Sequence, residues 1–402
     1  MPLAPSRMFL ASRFVWGLLF SMMATVSMIY QVEIAGLDAL ELVLVGTALE
    51  VSAFLFEIPT GIVADHYSRR LSVVIGFFVT GLSFVLAASF PRFEVIALAA
   101  FIWGIGWTFI SGAHEAWLAD ETGEAAAARL YLAGQRLVSY GSFIGIAVAV
   151  LLGSVAIVYP YLLAGYFFIA WAVFAWFGMV ETRLPVGDEP DLSQLRQMGR
   201  IASDGFNTIR QSPTLVLLVL VGVVVGTFSE GYDRLSTAHL LRNFEFPRPF
   251  GFEPVVVFGA AAAVGNLLSI LAVRLVEQLV DTERAEHIGN ALALASFLIL
   301  AATLAFALTG NVALALLMYV ALLPLRTVSG PLTTAWINRH VSARSRATVL
   351  SMHGQSDALG QMAGGPGVGL IGREFGLRIA IVVTALLLAP AVWLYRRARN
   401  LV

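Results

Sequence analysis

The sequence contains no cysteine, no lysine and few charged residues of any kind. Without cysteine, the chain can form neither disulfide bonds nor thiolate metal sites. Charged residues make up only 13% of its 402 residues, whereas a soluble domain carries about 25%. Because a soluble protein must cover its surface with polar groups, this shortage excludes an ordinary soluble domain. The net charge of −1 also argues against a nucleic-acid partner.

Two groups of functional motifs are missing as well. There is no Gly-Lys-Ser/Thr phosphate-binding loop, so we do not expect ATP to drive the protein directly. The six histidines are scattered and none stands in an H-E-x-x-H spacing, so the sequence indicates neither a metal centre nor a hydrolytic site. We therefore expect no enzyme activity, no metal and no cofactor.

Long apolar segments, in contrast, are abundant. Hydrophobic residues make up 58% of the chain, and the mean hydropathy is +0.83. A helix that crosses a membrane needs about 20 mostly apolar residues. Such segments lie near residues 9–31, 40–63, 71–90, 95–118, 131–158, 160–180, 213–232, 254–275, 288–308, 312–336, 347–371 and 377–395. Because backbone groups in lipid must bond within their own segment, the pattern predicts an all-α integral membrane protein with twelve transmembrane helices.

The segments form two groups of six. We predict an N-terminal six-helix bundle over residues 1–182, a cytoplasmic linker over 183–212 and a C-terminal six-helix bundle over 213–402. Leucine, isoleucine and phenylalanine at helical spacing in the linker predict an amphipathic helix on the membrane face. A disordered tether is the alternative for the same stretch.

Short sequence motifs recur at corresponding positions in the two groups of spans. SGAHEAW at 111–117 returns as SGPLTTAW at 329–336, and GQRLVSYGSFIG at 134–145 returns as GQSDALGQMAGG at 354–365. Duplication explains such matches at the fourth and fifth spans of each group. Two pseudo-symmetric six-helix bundles around a central site are a transporter architecture.

Arginine marks one side of the predicted membrane protein. The loops after the even-numbered spans, the linker and the end of the chain are richer in arginine than the opposite loops. Since basic residues collect on the cytoplasmic side, both termini are expected there. We expect a multi-pass protein of a prokaryotic cell membrane.

The connection between the second and third spans reads GIVADHYSRR. It resembles the signature that the major facilitator superfamily carries in this loop. The matching residues are Gly61, Asp65, Arg69 and Arg70, while His66 and Ser68 depart from the usual basic residue and glycine. Together with the six-plus-six layout, the resemblance covers the whole chain.

The fifth span resembles the drug/proton antiporter type of this family in its recurring glycines, which are Gly134, Gly141, Gly145 and Gly153. The Gly-Pro pair that ends the antiporter motif is missing from this span and stands instead in the eleventh span, at Gly365–Pro366.

The resemblance implies a mechanism as well as a fold. Members of the family move substrates by rocking two six-helix halves about a central site, and the proton gradient would be the driving force here. The loop is expected to stabilise the outward-open state through Asp65 and Arg69, with Gly61 allowing a neighbouring helix to approach closely. Arg70 is expected only to mark the cytoplasmic side.

Ionisable residues inside a span cost several kcal/mol, so each one is a functional candidate. Glu50 and Glu57 lie seven residues apart in the second span and therefore on one helix face. Glu50 is either a proton-coupling site or a static hydrogen-bonded carboxyl, since a carboxylate in lipid could exchange protons near neutral pH. Glu57 is interpreted as structural, with Arg13 as its partner.

Further candidates lie in the later spans. Glu115 is expected to pair with Arg136, and Asp120 to be a solvated loop charge. Arg326 in the tenth span should meet either Asp357 or a substrate anion. The remaining candidates are Glu230 and Asp233, with Arg234, as an extracellular gate or a wetted helix end, and Gln135 and Gln355 as cavity-lining hydrogen-bond groups.

These observations favour a secondary transporter that exports amphiphilic or drug-like small molecules. Two alternatives stay open: uptake or efflux of a polar metabolite, and a sensor that kept the fold without transporting. The expected partners are a small-molecule substrate and the lipid bilayer, with no nucleic acid, and we expect a monomer.

Overall fold

A computed structural model describes residues 3–182, 203–245, 253–342 and 345–401. In these ranges the regular secondary structure is helical, without strands. The α-helices are α1 Pro5–Ile29, α2 Ala39–His66, α3 Arg69–Ser89, α4 Phe93–Ile110, α5 Ala113–Thr122, α6 Glu124–Gly153, α7 Val158–Gly178, α8 203–211, α9 Pro213–Asn243, α10 Pro254–Leu279, α11 Ala285–Leu308, α12 Val312–Thr327, α13 Ser329–His340, α14 Arg346–Phe375, α15 Leu377–Leu387 and α16 Ala389–Arg399. A π-helical segment, Tyr30–Ile34, continues α1. The predicted all-α fold class is confirmed.

The predicted spans correspond to these helices. In the described ranges, eleven helical stretches are long and apolar enough to cross a membrane. The predicted eleventh span forms α14, whose 30 residues are long enough to cross but include many polar groups and glycines. Three spans consist of two consecutive helices each: α4 with α5, α12 with α13, and α15 with α16. The chain is therefore a multi-pass helical membrane protein.

The chain forms two compact units. The first contains most of the helices before the linker, and the second most of the helices after it. The units are not contiguous in sequence, because Asp38–Thr47 at the start of α2 belongs to the second unit and α10 up to Ala260 belongs to the first. The domain boundaries at 182 and 213 stay a prediction.

Glycines set the packing inside each unit. In the first unit, a Cβ atom added to Gly141 of α6 would lie 2.8 Å from the backbone nitrogen of Leu18 in α1. In the second unit, a Cβ atom on Gly360 of α14 would lie 3.0 Å from the backbone nitrogen of Thr227 in α9. Only glycine allows such close backbone approach. The fifth helical span of each group therefore packs against the first by the same means.

Part of the linker is described. Residues 203–211 form α8, with Phe206 exposed and Ile209 buried. Residues 183–202 lie outside the described residues. The position of an amphipathic helix on the membrane face stays a prediction.

Candidate functional site

The second unit contains a cavity of about 680 Å³. Helices α9, α11, α12, α13, α14 and α16 contribute to its lining. Five ionisable side chains contribute to its lining: Asp233 from α9, Arg326 from α12, His353 and Asp357 from α14, and Tyr395 from α16. Because charged groups in a membrane-spanning unit are costly, this cavity is the candidate functional site.

A break in the tenth span positions Arg326. Pro324 lies inside α12 and has no backbone N–H, so the helix cannot continue its regular bonding there. The N–H of Val328 donates to the carbonyl of Pro324 at 3.3 Å, and α13 begins at the next residue, Ser329. Arg326 thus stands in the last turn of α12, where a cation is favoured by the helix dipole.

Arg326 holds Asp233 with two parallel hydrogen bonds. Nη1 donates to Oδ1 of Asp233, and Nη2 donates to Oδ2 at 2.7 Å. Nη2 also lies 3.3 Å from the hydroxyl of Ser229, which stands four residues before Asp233 and so on the same face of α9. This two-point geometry is the strongest form of arginine–carboxylate contact.

Two aromatic rings support the guanidinium from its face. Its carbon lies 5.8 Å from the ring centre of Phe228 and 5.4 Å from that of Tyr232. The rings are buried and stack on each other with centroids 5.8 Å apart. Such cation–π contacts fix the plane of the guanidinium.

The predicted pair between Arg326 and Asp357 is not formed, because Asp233 presents its two oxygens to the guanidinium. Asp357 accepts a hydrogen bond from Nε2 of Gln361, one turn later in α14, at 2.8 Å. Asp357 nevertheless lines the same cavity as Arg326. The four-residue spacing of Asp357 and Gln361 places the two side chains on one face of α14, so their hydrogen bond could have been predicted from the sequence.

Glu230 is buried, contrary to the interpretation of a wetted helix end. Its side chain is 2% exposed, and its Oε1 lies 3.3 Å from Nε of Arg234. Two glycines make room for it: a Cβ atom added to Gly46 of α2 would meet both charged groups, and a Cβ atom on Gly365 would lie 2.7 Å from Cγ of Glu230. Of the predicted cluster, only Asp233 faces the cavity.

The first unit has a smaller cavity of about 280 Å³. Arg13, Trp16, Trp107 and Glu115 contribute to its lining. Arg13, which was predicted to pair with Glu57, donates from Nη2 to Oε1 of Gln135 at 3.0 Å. This hydrogen bond joins Arg13 of α1 to the candidate residue Gln135 of α6. The rings of Trp16 and Trp107 lie 5.2 Å apart, so this cavity has an aromatic wall.

Other candidates are placed separately. Glu57 is exposed and Glu50 half-buried on α2, while Gln355 is half-buried on α14. Glu115 and Arg136 are both exposed, and the ion pairs between described side chains do not include this predicted pair.

The connection between α2 and α3 forms more ion pairs and hydrogen bonds than the sequence predicted. Arg69 lies 3.6 Å from Asp65, forms an ion pair with Asp120 of α5 and donates to the carbonyl of Ala116 at 3.0 Å. The prediction that Asp120 is a solvated loop charge is therefore wrong. An added Cβ atom on Gly61 would meet nothing within 4 Å, so the close helix approach expected there is absent among the described residues.

Glu181, which the sequence analysis did not single out, binds polar groups at the N-terminus of α3. Its carboxylate accepts from the backbone N–H of Arg69 at 2.9 Å and from the hydroxyl of Ser68. Ser68 itself accepts from the N–H of Leu71 at 2.9 Å and so caps the helix. Arg70 donates to the carbonyl of Trp176 and lies 5.2 Å from its ring centre. The loop is thus joined to α5 and to the end of α7.

Comparisons with known proteins agree with this architecture. The family model described as Major Facilitator Superfamily matches residues 8–331. The chain is 25% identical over 362 residues to an uncharacterised MFS-type transporter, YxaM, of Bacillus subtilis (strain 168), covering 89% of this chain and 87% of that protein.

Solved structures show the same fold at low sequence identity. The nucleoside transporter NupG superposes with a TM-score of 0.78 at 12% identity, over 98% of this chain and 99% of that one. A bacterial homologue of the human lysosomal transporter Spinster superposes with a TM-score of 0.77 at 17% identity, over 100% and 98%. At these identities the likeness concerns the fold alone.

Proposed function

The chain belongs to the major facilitator superfamily, and from this premise we propose that it is a proton-coupled secondary active transporter that works by rocker-switch alternating access. The family is one of membrane transporters rather than enzymes. The observation that carries the proposal is the cavity of the second unit, where Arg326, Asp233 and Asp357 stand together inside a membrane-spanning bundle. Charges inside a membrane span are costly and mark sites that bind a substrate or a proton.

We further propose that the substrate is amphiphilic and that the protein exports it, as in the drug/proton antiporter type. Apolar side chains such as Val221, Val225 and Ile299 line the charged cavity, so a molecule with both an apolar and a polar part fits it. A bacterial relative and the distribution of arginine support a place in the cytoplasmic membrane with both termini inside.

A polar metabolite is the second candidate substrate. Hydroxyl groups of Ser229, Ser296, Thr333 and Thr334 also line the cavity and offer more hydrogen bonds than an apolar molecule could use. Transport of such a metabolite, in either direction, would use the same charged residues.

Reconstitution tests the proposal directly. Purified protein is placed in liposomes that contain a pH-sensitive dye, and a proton gradient is imposed. Lipophilic cations, amphiphiles, sugars, amino acids and organic acids are then added in turn. Proton movement triggered by one class, and absent from protein-free liposomes, identifies a proton-coupled carrier and its substrate class. Silence across the panel contradicts proton-coupled transport of these compound classes and leaves a uniporter, a lipid carrier, a substrate outside the panel or a sensor.

Glu50 is proposed as a coupling residue. The change Glu50→Gln keeps the shape of the side chain and removes its titration, so we expect proton-coupled transport to lose most of its dependence on pH. Initial rates measured at several external pH values test this, with Glu94→Gln, an exposed residue at the start of α4, as the control. An unchanged pH profile in Glu50→Gln would show that Glu50 is a static carboxyl.

A further inference from the structure

The geometry around Arg326 points to a specific class of substrate. We propose that Arg326 binds the carboxylate of an amphiphilic organic acid, and that Asp233 is an internal competitor for the same edge of the guanidinium. The inference rests on the proposed transport function, because it names the substrate class of that cavity.

Asp233 shows what the guanidinium can hold. Its carboxylate is bound in the two-point manner, Nη1 to Oδ1 and Nη2 to Oδ2, which uses one full edge of the arginine. A carboxylate from a ligand has the same planar shape and the same pair of oxygens. It can therefore replace Asp233 on Arg326 with no change in the type of contact.

The pair is placed where exchange can occur. The side chain of Arg326 is 25% exposed and that of Asp233 is 49% exposed, and both line the cavity. A ligand in the cavity can thus reach both members of the pair. In contrast, the Glu230–Arg234 pair one turn away has a carboxylate that is only 2% exposed, so a ligand cannot reach it.

The surroundings hold Arg326 in place during such an exchange. Phe228 and Tyr232 support the face of the guanidinium and position Arg326; Phe228 also contributes to the wall of the cavity. The hydroxyl of Ser229 remains within 3.3 Å of Nη2. Arg326 is therefore preorganised for a planar anion.

The rest of the lining defines the remainder of the ligand. Val221, Val225, Ile299 and Leu323 supply apolar surface next to the charged end of the cavity. A second carboxylate, Asp357, lines the same space and repels additional negative charge. A ligand with one negative charge and an apolar body therefore fits better than a doubly charged phosphate ester.

A binding experiment on the purified full-length protein tests the inference. The probes are 4-phenylbutyrate and decanoate, their uncharged amides, and phenyl phosphate. Binding is measured as the shift in thermal unfolding with ligand concentration. We expect both acids to bind, their amides not to bind, and phenyl phosphate to bind more weakly than the acids.

Variants of the pair provide the decisive comparison. Asp233→Asn removes the charged competitor, so the dissociation constant of the acids should fall by about tenfold. Arg326→Gln should abolish acid binding. Arg326→Lys keeps the charge but loses the two-point contact, so it should bind the acids at an intermediate level. Arg284→Gln, at an exposed ion pair with Asp281, is the matched control and should leave the affinity unchanged.

Several results would overturn the inference: acids that bind no better than their amides, acid binding that persists in Arg326→Gln, weaker acid binding in Asp233→Asn, or a preference for phenyl phosphate. Failure of the transport proposal is distinguishable from these. Arginine-dependent acid binding without proton movement in liposomes would contradict proton-coupled transport alone. Proton-coupled transport of non-acids that Arg326→Gln leaves intact would contradict this inference alone.

Discussion

Arg326 and Arg69 are both arginines paired with aspartate, but their environments differ. Arg326 of α12 places one edge of its guanidinium on a single aspartate, Asp233 of α9, and both side chains face a cavity. Arg69 is bound by several groups at once: Asp65 at the end of α2, and Asp120 with the carbonyl of Ala116 on α5.

The difference separates two kinds of ion pair. A ligand can replace the single carboxylate partner of Arg326, because the pair is open to the cavity, while Ser229 and the two aromatic rings keep their contacts with the guanidinium. The partners of Arg69 join α2, α3 and α5, so these bonds break only when the helices move relative to each other. The first arrangement is suited to recognition and the second to stabilising one conformation.

Exchanging the charges of Asp233 and Arg326 should have the largest effect on stability and transport. The single changes Asp233→Arg and Arg326→Asp each leave like charges facing each other, and we expect each to lower the free energy of unfolding by about 1 to 3 kcal/mol. The double variant should regain most of this stability, as read from thermal unfolding. Its transport should stay below about a tenth of the wild-type rate, because the positive charge now stands on α9, without the ring support that fixes Arg326.

The same exchange at the other pair provides the comparison. The double variant Arg69→Asp with Asp120→Arg should regain stability and also a large part of the transport rate, since its expected role is to hold helices together. If both double variants recover transport equally, the distinction between a recognition pair and a structural pair is contradicted.

A smaller effect is expected from Asp65→Asn. Asp65 is 68% exposed and lies 3.6 Å from Arg69, so its loss removes one of several partners. If the loop stabilises one state of the transport cycle, turnover should slow by about 3- to 10-fold, which corresponds to roughly 0.7 to 1.4 kcal/mol in the barrier. Substrate affinity should change little. Initial rates and binding constants measured on the same preparation test this.

Asp281→Asn serves as the control for Asp65→Asn, because Asp281 also pairs with an arginine, Arg284, at an exposed position. It should alter neither turnover nor affinity. A large loss of substrate affinity in Asp65→Asn with unchanged turnover would contradict the proposed role of the loop.

The sequence predicted one of the two arginine clusters better than the other. The loop motif has fixed spacing, so Asp65 and Arg69 could be assigned together from the order of residues alone. The spans could be assigned because lipid requires long apolar helices. Even so, Asp120 was missed, because its contact with Arg69 depends on how α5 packs against the start of α3.

The partner of Arg326 could not be predicted for a related reason. Asp233 and Asp357 are both carboxylates in neighbouring spans, and sequence alone does not give the rotation of α9 and α14 about their axes. Asp233 is 93 residues from Arg326 in the chain. Burial of Glu230 likewise depends on Gly46 and Gly365, which lie far from it in sequence.

Substitution of Arg70 should have the smallest effect on stability and transport. Arg70 donates to the carbonyl of Trp176 and lies over its ring, yet it holds no aspartate or glutamate among the ion pairs between described side chains. Arg70→Lys keeps the cytoplasmic positive charge, so stability should change by no more than about 0.5 kcal/mol and transport should be unchanged. Thermal unfolding and initial rates, measured beside Arg69→Lys, check this. A fall in turnover as large as that of Arg69→Lys would show that the contact between α3 and the end of α7 belongs to the same functional cluster as Arg69.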